Sequence, residues 1–398
     1  MAECQFGLAP NDLQEHHQMT DARLADLTTP CLLLDETKMK CNINRLANRA
    51  ESFGVLLRPH LKTTKSVEAA RYVLKNGNGP ATVSTLAEAE AFAAAGINDI
   101  VYGVGIGLNK LDRVLDLHRA GCRLVVLLDS VAQAQAVAAA SKAAEIAIPA
   151  MIEIDSDGHR SGLAPNDPEL IEIGRILHED GAELHGVLCH AGDSYFAVGR
   201  EAQSIYAEVE RLAVVNSADA LRAAGLPCPV VSVGSTPTAH AAKDLTGVTE
   251  MRAGVYVFFD LVMAGIEVCD VDDIALSVLT TVIGHQANKG WALVDAGWMA
   301  MSRDRGTANQ TVDQGYGLVC DEAGQLLVDL VVIQANQEHG IVAVRPGSGR
   351  SMPDLMLGTR LRILPNHACA TAAQHQRYHV LPEHFGAPLM IWDRFAGW

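Results

Sequence analysis

Three short runs hold side chains whose types and spacing could carry chemistry. In Arg58-Pro59-His60-Leu61-Lys62-Thr63, Lys62 follows the compact apolar segment Val55-Leu56-Leu57. A lysine at the carboxyl end of a strand, desolvated and beside Arg58, is an activated amine that can form a Schiff base. In Gly234-Ser235-Thr236-Pro237-Thr238, glycine lets backbone approach a ligand closely, while the Ser and Thr hydroxyls with free amides make a phosphate cradle. In Pro365-Asn366-His367-Ala368-Cys369, residues two apart on an extended chain share a face, so His367 and Cys369 can grip one ion. Imidazole with thiolate selects Zn²⁺, with Mn²⁺, Co²⁺ or Mg²⁺ as the alternatives. Two protein ligands leave coordination positions open for water or substrate, which makes the site catalytic in kind.

These runs must be positioned by a scaffold, and the middle of the chain reads as a repeated strand and helix. Eight strands are expected at 55–58, 80–84, 99–103, 123–128, 149–154, 185–189, 229–233 and 249–259, the last irregular. Thr85-x-x-Glu88 and Ser130-x-x-Gln133 are capping boxes ahead of Ala-rich helices, and Met39, Ile43, Leu46, Ala47 and Ala50 recur at helical spacing. The fold class is therefore α/β, a TIM-like (β/α)8 barrel over residues 36–270. From about residue 275 the pattern turns to β-branched strands such as 276–283, 291–294, 327–333 and 359–364, a second, mainly β domain. The early strand 29–35 joins it, so that domain comprises 28–35 plus 271–398 and carries the metal pair. Residues 1–27 form a polar extension containing His16-His17.

On this frame the loops after successive barrel strands converge on one rim. The fifth loop, Asp155 to Gly162, brings Arg160; the sixth, His190-Ala191-Gly192-Asp193-Ser194-Tyr195, brings Tyr195; the eighth strand brings Arg252-Ala253-Gly254-Val255-Tyr256, with Gly254 and Tyr256 as ligand-contact candidates. His60 is placed to orient the lysine segment, and His339 is either a supporting residue or a turn residue. Arg303 and Arg305, on a Gly-bounded turn of the β domain, are candidates for binding a substrate carboxylate.

A net charge of −16, from 31 Lys+Arg against 47 Asp+Glu, excludes nucleic acid or an anionic membrane as the main partner. An anionic substrate then needs a local cationic pocket. No stretch approaches the roughly 18 apolar residues of a membrane span, and no signal-peptide pattern opens the chain, so a cytoplasmic protein is expected. The nine cysteines are scattered and odd in number, with no C-x-x-C pair, which excludes a disulfide framework.

Lys62, the Arg160 loop, Gly234-Ser235-Thr236, Gly254-Val255-Tyr256 and His367-Ala368-Cys369 occur in an order that resembles the D-serine dehydratase and D-threonine aldolase family of fold-type III pyridoxal-phosphate enzymes, and together they span nearly the whole chain. The resemblance implies an alanine racemase-like barrel plus β domain, a head-to-tail homodimer, and pyridoxal 5'-phosphate on the barrel rim linked to Lys62. It implies Arg160 near the cofactor's phenolic oxygen and Tyr195 near its ring nitrogen. It implies a divalent metal on His367 and Cys369, and small 3-hydroxy D-amino acids as substrates. Aldolases of this family look like His-x-Asp at the metal position and dehydratases like His-x-Cys, so Cys369 implies a dehydratase, with an aldolase as the alternative.

Overall fold

The computed structural model describes residues 18–19, 23–158, 160–383 and 388–398; the reading of His16-His17 lies outside them. The chain forms two compact units. One comprises Leu46–Tyr256, Val262–Asp270 and Phe395–Trp398; the other comprises the chain up to Arg45, Val257–Leu261 and Val271–Arg394. The helix Glu36–Phe53 therefore begins with the β-rich unit, where Asn42 Nδ2 donates to Asp273 O (2.8 Å) and Arg45 pairs with the Asp273 carboxylate (2.6 Å).

In the first unit eight parallel strands run Leu56–Leu57, Ala81–Val83, Asp99–Gly105, Arg123–Leu128, Pro149–Ile154, Glu183–Cys189, Val230–Val233 and Glu250–Met251. Each pairs with its neighbour in sequence, and the eighth pairs with the first. The first and second meet through a parallel bridge between His60 and Thr82. Val101, Val125, Leu127, Met151 and Leu188 pack one buried cluster, as apolar residues on strands covered on both faces must. The expected strand 249–259 shrinks to Glu250–Met251, because Gly254 and the single turn Val255–Val257 leave the sheet. Thr85 and Ser130 cap their helices by accepting from the Glu88 and Gln133 amides. The return bonds of the expected capping boxes land one residue early, on Ser84 N–H and Asp129 N–H. A complete box forms at Ser235 and Thr238.

Arg58 departs from expectation. It is buried, and its guanidinium donates to Glu250 Oε2 (2.8 Å) and Asp99 Oδ1 (2.9 Å), at the starts of the eighth and third strands. It therefore does not activate Lys62, which is itself exposed rather than desolvated. Glu250 also accepts the Ser232 hydroxyl (2.7 Å). Arg58→Ala should lower the unfolding free energy by about 3–5 kcal/mol, since it leaves Glu250 buried without its partner, and Arg58→Met with Glu250→Leu should recover most of that. Urea unfolding of the two variants checks this; a single variant as stable as the parent would show the pair to be idle.

In the second unit, Leu276–Gln286, Trp291–Val294, Gly340–Val344, Leu326–Ala335, Leu318–Asp321 and Arg360–Leu364 pair antiparallel in that order, and Arg360–Leu364 returns to Leu276–Gln286. Cys31–Asp35 pairs antiparallel with Leu276–Gln286 and parallel with Arg377–Leu381, which leads on to Met390–Asp393. No helix among the described residues is long and apolar enough to cross a membrane.

Candidate active site

In the barrel unit, Lys62 sits in the turn after the first strand, and its backbone N–H donates to His60 Nδ1 (3.4 Å). His60 Nε2 lies 3.5 Å from Ser84 Oγ. Burial, reinforced by Lys62, Arg252, His190 and Arg160, holds His60 well below the ordinary histidine range. Burial likewise pushes His190 down to about 3, with Arg160, Arg252 and Lys62 adding to the effect. Neutral His190 carries its proton on Nδ1, which donates to Gly234 O (2.7 Å), and leaves Nε2 as an acceptor. Two neutral imidazoles among three cations make a locally positive rim in an acidic chain, the environment an anionic ligand requires.

Gly234 has φ +149°, and a Cβ there would lie 1.9 Å from Arg252 O. A Cβ on Gly254 would lie 3.0–3.2 Å from Thr63 Oγ1 and His60. Only glycine brings backbone this close. The Ser235 hydroxyl is engaged within the fold: it accepts from Thr238 N–H (3.2 Å) and, because Ser194 donates to Ala191 O, gives its own proton to Ser194 (2.8 Å). Thr236 Oγ1 and Tyr256 OH, by contrast, are buried with no hydrogen-bond partner. His240 lies beside both residues, its Nδ1 2.9 Å from the Thr236 carbonyl oxygen and its ring 6.5 Å from that of Tyr256. Orphaned buried hydroxyls are costly, and the oxygens of a phosphate monoester would satisfy both. Burial raises the Tyr256 phenol, so it stays a protonated donor. The residues present thus fit the phosphate of the cofactor that the resemblance implies. Tyr195 is half-buried in the turn Gly192–Phe196, its ring 6.1 Å from that of His190. Arg160 is exposed and acts electrostatically on His60, His190 and Glu153.

In the β-rich unit, His367 and Cys369 do not lie on one extended strand. His367 is the extended N-cap (φ −136°, ψ 110°) and Cys369 the second residue of the helix Ala368–Ala372. The turn nevertheless brings their side chains into hydrogen-bond contact. His367 Nδ1 lies 2.6 Å from Asp304 Oδ2. Burial works to lower the His367 pKa, but the hydrogen bonds with Asp304 and Cys369 outweigh it and push it up to about 11. A carboxylate on Nδ1 fixes the tautomer and leaves Nε2 for a metal, the usual support of a ligating histidine. Among the described residues no group of three or more His, Cys, Asp or Glu is arranged to hold an ion. Asp260 Oδ2 accepts Ala368 N–H (2.9 Å) and fixes the helix start. Arg305 is bound to Asp313 (2.6 Å), whereas Arg303 stacks on Trp298 at 4.6 Å. His339 is an exposed turn residue whose carbonyl accepts Asn336 N–H.

Sequence reasoning missed Asp304, since its partner is 63 residues away, and gave no role to His190, which donates to Gly234 O, or to Arg252, which helps to lower His60 and His190.

Two family models match the chain: "Alanine racemase, N-terminal domain" over residues 34–262 and "Putative serine dehydratase domain" over 275–381. The D-threo-3-hydroxyaspartate dehydratase of Delftia sp. (strain HT23) is 55% identical over 378 residues, 94% of this chain and 99% of that protein. The chain belongs to the D-serine dehydratase family of alanine racemase-like proteins. The structure of the Delftia enzyme superposes with a TM-score of 0.91, covering 94% of this chain and 99% of that one. A D-threo-3-hydroxyaspartate dehydratase has also been solved with a histidine, and with a cysteine two positions further on, replaced by alanine, the cysteine variant in the metal-free form. The D-threonine aldolase from Filomicrobium marinum is more distant, 26% identical with a TM-score of 0.79 over 94% of this chain and 98% of that one.

Proposed function

We propose that the protein is a pyridoxal-phosphate- and metal-dependent lyase, a cytoplasmic head-to-tail homodimer that eliminates water from 3-hydroxy D-amino acids, the released enamine then taking up water to give a 2-oxo acid and ammonia. D-threo-3-hydroxyaspartate is the first candidate substrate, with D-serine and D-threonine after it. The observation that carries this reading is Asp304 holding Nδ1 of His367 beside Cys369, an imidazole and thiolate pair with the spacing of the histidine and cysteine replaced in the D-threo-3-hydroxyaspartate dehydratase variants. When bound, pyridoxal phosphate supplies an electron sink at the substrate's α-carbon, and a divalent ion, Zn²⁺ by the softness of the donors, supplies a Lewis acid at the β-hydroxyl.

The chain's own residues do the rest. Lys62 would hold the cofactor, and its Nζ would take the α-proton. Thr236 and Tyr256 bind the phosphate through their unpartnered hydroxyls, and Gly234 and Gly254 let backbone reach it. Arg160 and Tyr195 would hold the cofactor's ring, Arg160 on the side of its phenolic oxygen and Tyr195 on that of its nitrogen, as the resemblance implies. His367 Nε2 and Cys369 Sγ hold the ion, and Asp304 keeps the His367 tautomer. A D-amino acid panel assayed for keto acid, ammonia and aldehyde tests the reading: keto acid with equimolar ammonia is expected, and glycine with an aldehyde would establish the aldolase.

With Arg305 committed to Asp313, Arg303 is the arginine available for a substrate β-carboxylate. Arg303→Ala should raise KM for 3-hydroxyaspartate about tenfold, the scale of one hydrogen bond to a charged group, and leave KM for D-serine almost unchanged. Equal effects on both substrates would remove Arg303 from recognition.

A further inference from the structure

Glu210 is a fully buried carboxylate on the helix Arg200–Ala223 that the reaction above does not use. Its Oε1 accepts the backbone N–H groups of Ala191 (3.1 Å) and Gly234 (2.9 Å), and its Oε2 accepts the Thr238 hydroxyl (2.9 Å). Ala191 lies in the loop after the sixth barrel strand, and Gly234 and Thr238 follow the seventh. One side chain therefore ties two rim loops together from behind, alongside the His190 to Gly234 and Ser235 to Ser194 contacts.

A buried carboxylate is expensive unless its donors are arranged for it. Burial raises the Glu210 carboxyl, and the Gly234 amide, Arg252, Thr238 and the Ala191 amide oppose that rise. Both carboxylate oxygens accept in this arrangement, Oε1 from two amides and Oε2 from the Thr238 hydroxyl, so all three groups donate to it. The Thr238 proton is thereby fixed on Glu210, and the Thr238 oxygen is left to accept Ser235 N–H (3.1 Å). The amides on both sides of the left-handed Gly234 are thus held, directly or through Thr238, by this one carboxylate. A neutral amide at 210 would bring an N–H donor against Thr238 and turn that hydroxyl around.

We propose that Glu210 is a positioning residue for phosphate recognition: it holds the Gly234-Ser235-Thr236 turn in the form that leaves the Thr236 and Tyr256 hydroxyls for the cofactor's phosphate. This rests on the pyridoxal-phosphate reading above. Apo-protein, parent and Glu210→Gln, is titrated with pyridoxal phosphate and with phosphate-free pyridoxal, followed by cofactor absorbance, with thermal midpoints measured alongside. The variant should lose roughly 10- to 100-fold in affinity for pyridoxal phosphate, the range of a lost hydrogen bond to a charged group, and nothing for pyridoxal. Its Tm should stay within about 3 °C of the parent. Equal losses for both ligands would mark a merely structural role, and unchanged affinity for the phosphate ester would remove any role; either result overturns the proposal. Should Glu210→Gln fail to fold, Thr238→Val removes only the hydroxyl that Oε2 accepts, and the same selective loss is expected and the same results overturn it. A parent protein that takes up neither compound ends the cofactor reading together with this one, whereas parent and variants that bind both compounds alike end this one alone.

Discussion

Lys62→Ala is expected to abolish the lyase reaction, by about 10³-fold or more, while leaving a folded protein that still takes up pyridoxal phosphate. The lysine adds nothing to the core: it is exposed, and its backbone N–H donates to His60. Its removal therefore costs little stability. On the proposed reading, what the variant loses is the amine that would anchor the cofactor and take the α-proton. The variant leaves the proposed phosphate contacts at Gly234, Thr236, Gly254 and Tyr256 unchanged, so the cofactor should bind without a covalent link. Two readouts separate these losses. Borohydride should fix the cofactor to the parent protein and not to the variant, and dialysis should strip it from the variant alone. A variant that still gives a borohydride-fixed adduct at another lysine would remove Lys62 from the centre of the site.

The barrel was legible because short, continuous apolar runs such as Arg123–Leu128 and Pro149–Ile154 alternate with helical segments, two of them opened by the caps Thr85 and Ser130. The rim loops were legible for the same reason, since a barrel places every residue after a strand end on one face. What composition and spacing did not show is what depends on partners far apart in the chain. Arg58 looked like a neighbour of Lys62 and is instead claimed by Asp99 and Glu250. Ser235 looked like a free hydroxyl and is used up by Ser194 and Thr238. His367 and Cys369 looked like a strand pair and meet across the start of a helix. Asp304 and Glu210 carried no local signal at all, because a single carboxylate between two arginines or on an amphipathic helix reads as a solvated face until its partners are known.

Removal of the divalent ion should abolish turnover and leave both units folded. A structural site needs four protein ligands, and His367 and Cys369 offer two, so a chelator should cost at least about 100-fold in rate with almost no change in Tm. The hydrogen bonds that push His367 up to about 11 keep it protonated at neutral pH when no metal is present. A ligating imidazole must be neutral, so metal uptake displaces a proton and its apparent affinity should tighten as pH rises. Asp304→Ala removes the carboxylate on Nδ1 and should weaken metal affinity roughly 10- to 100-fold without touching either ligand, the range seen when a supporting partner is lost. Cys369→Asp replaces a soft donor by a hard one, which should shift metal preference toward Mn²⁺ or Mg²⁺ and lower the yield of keto acid. Isothermal titration with Zn²⁺ and Mn²⁺ on the parent and both variants, run beside the keto-acid assay, distinguishes the steps. Chelation that unfolds the protein would make the ion structural. Full activity in Cys369→Ala would show that the thiolate does not hold the ion, and the choice of dehydratase over aldolase would then lose its chemical basis.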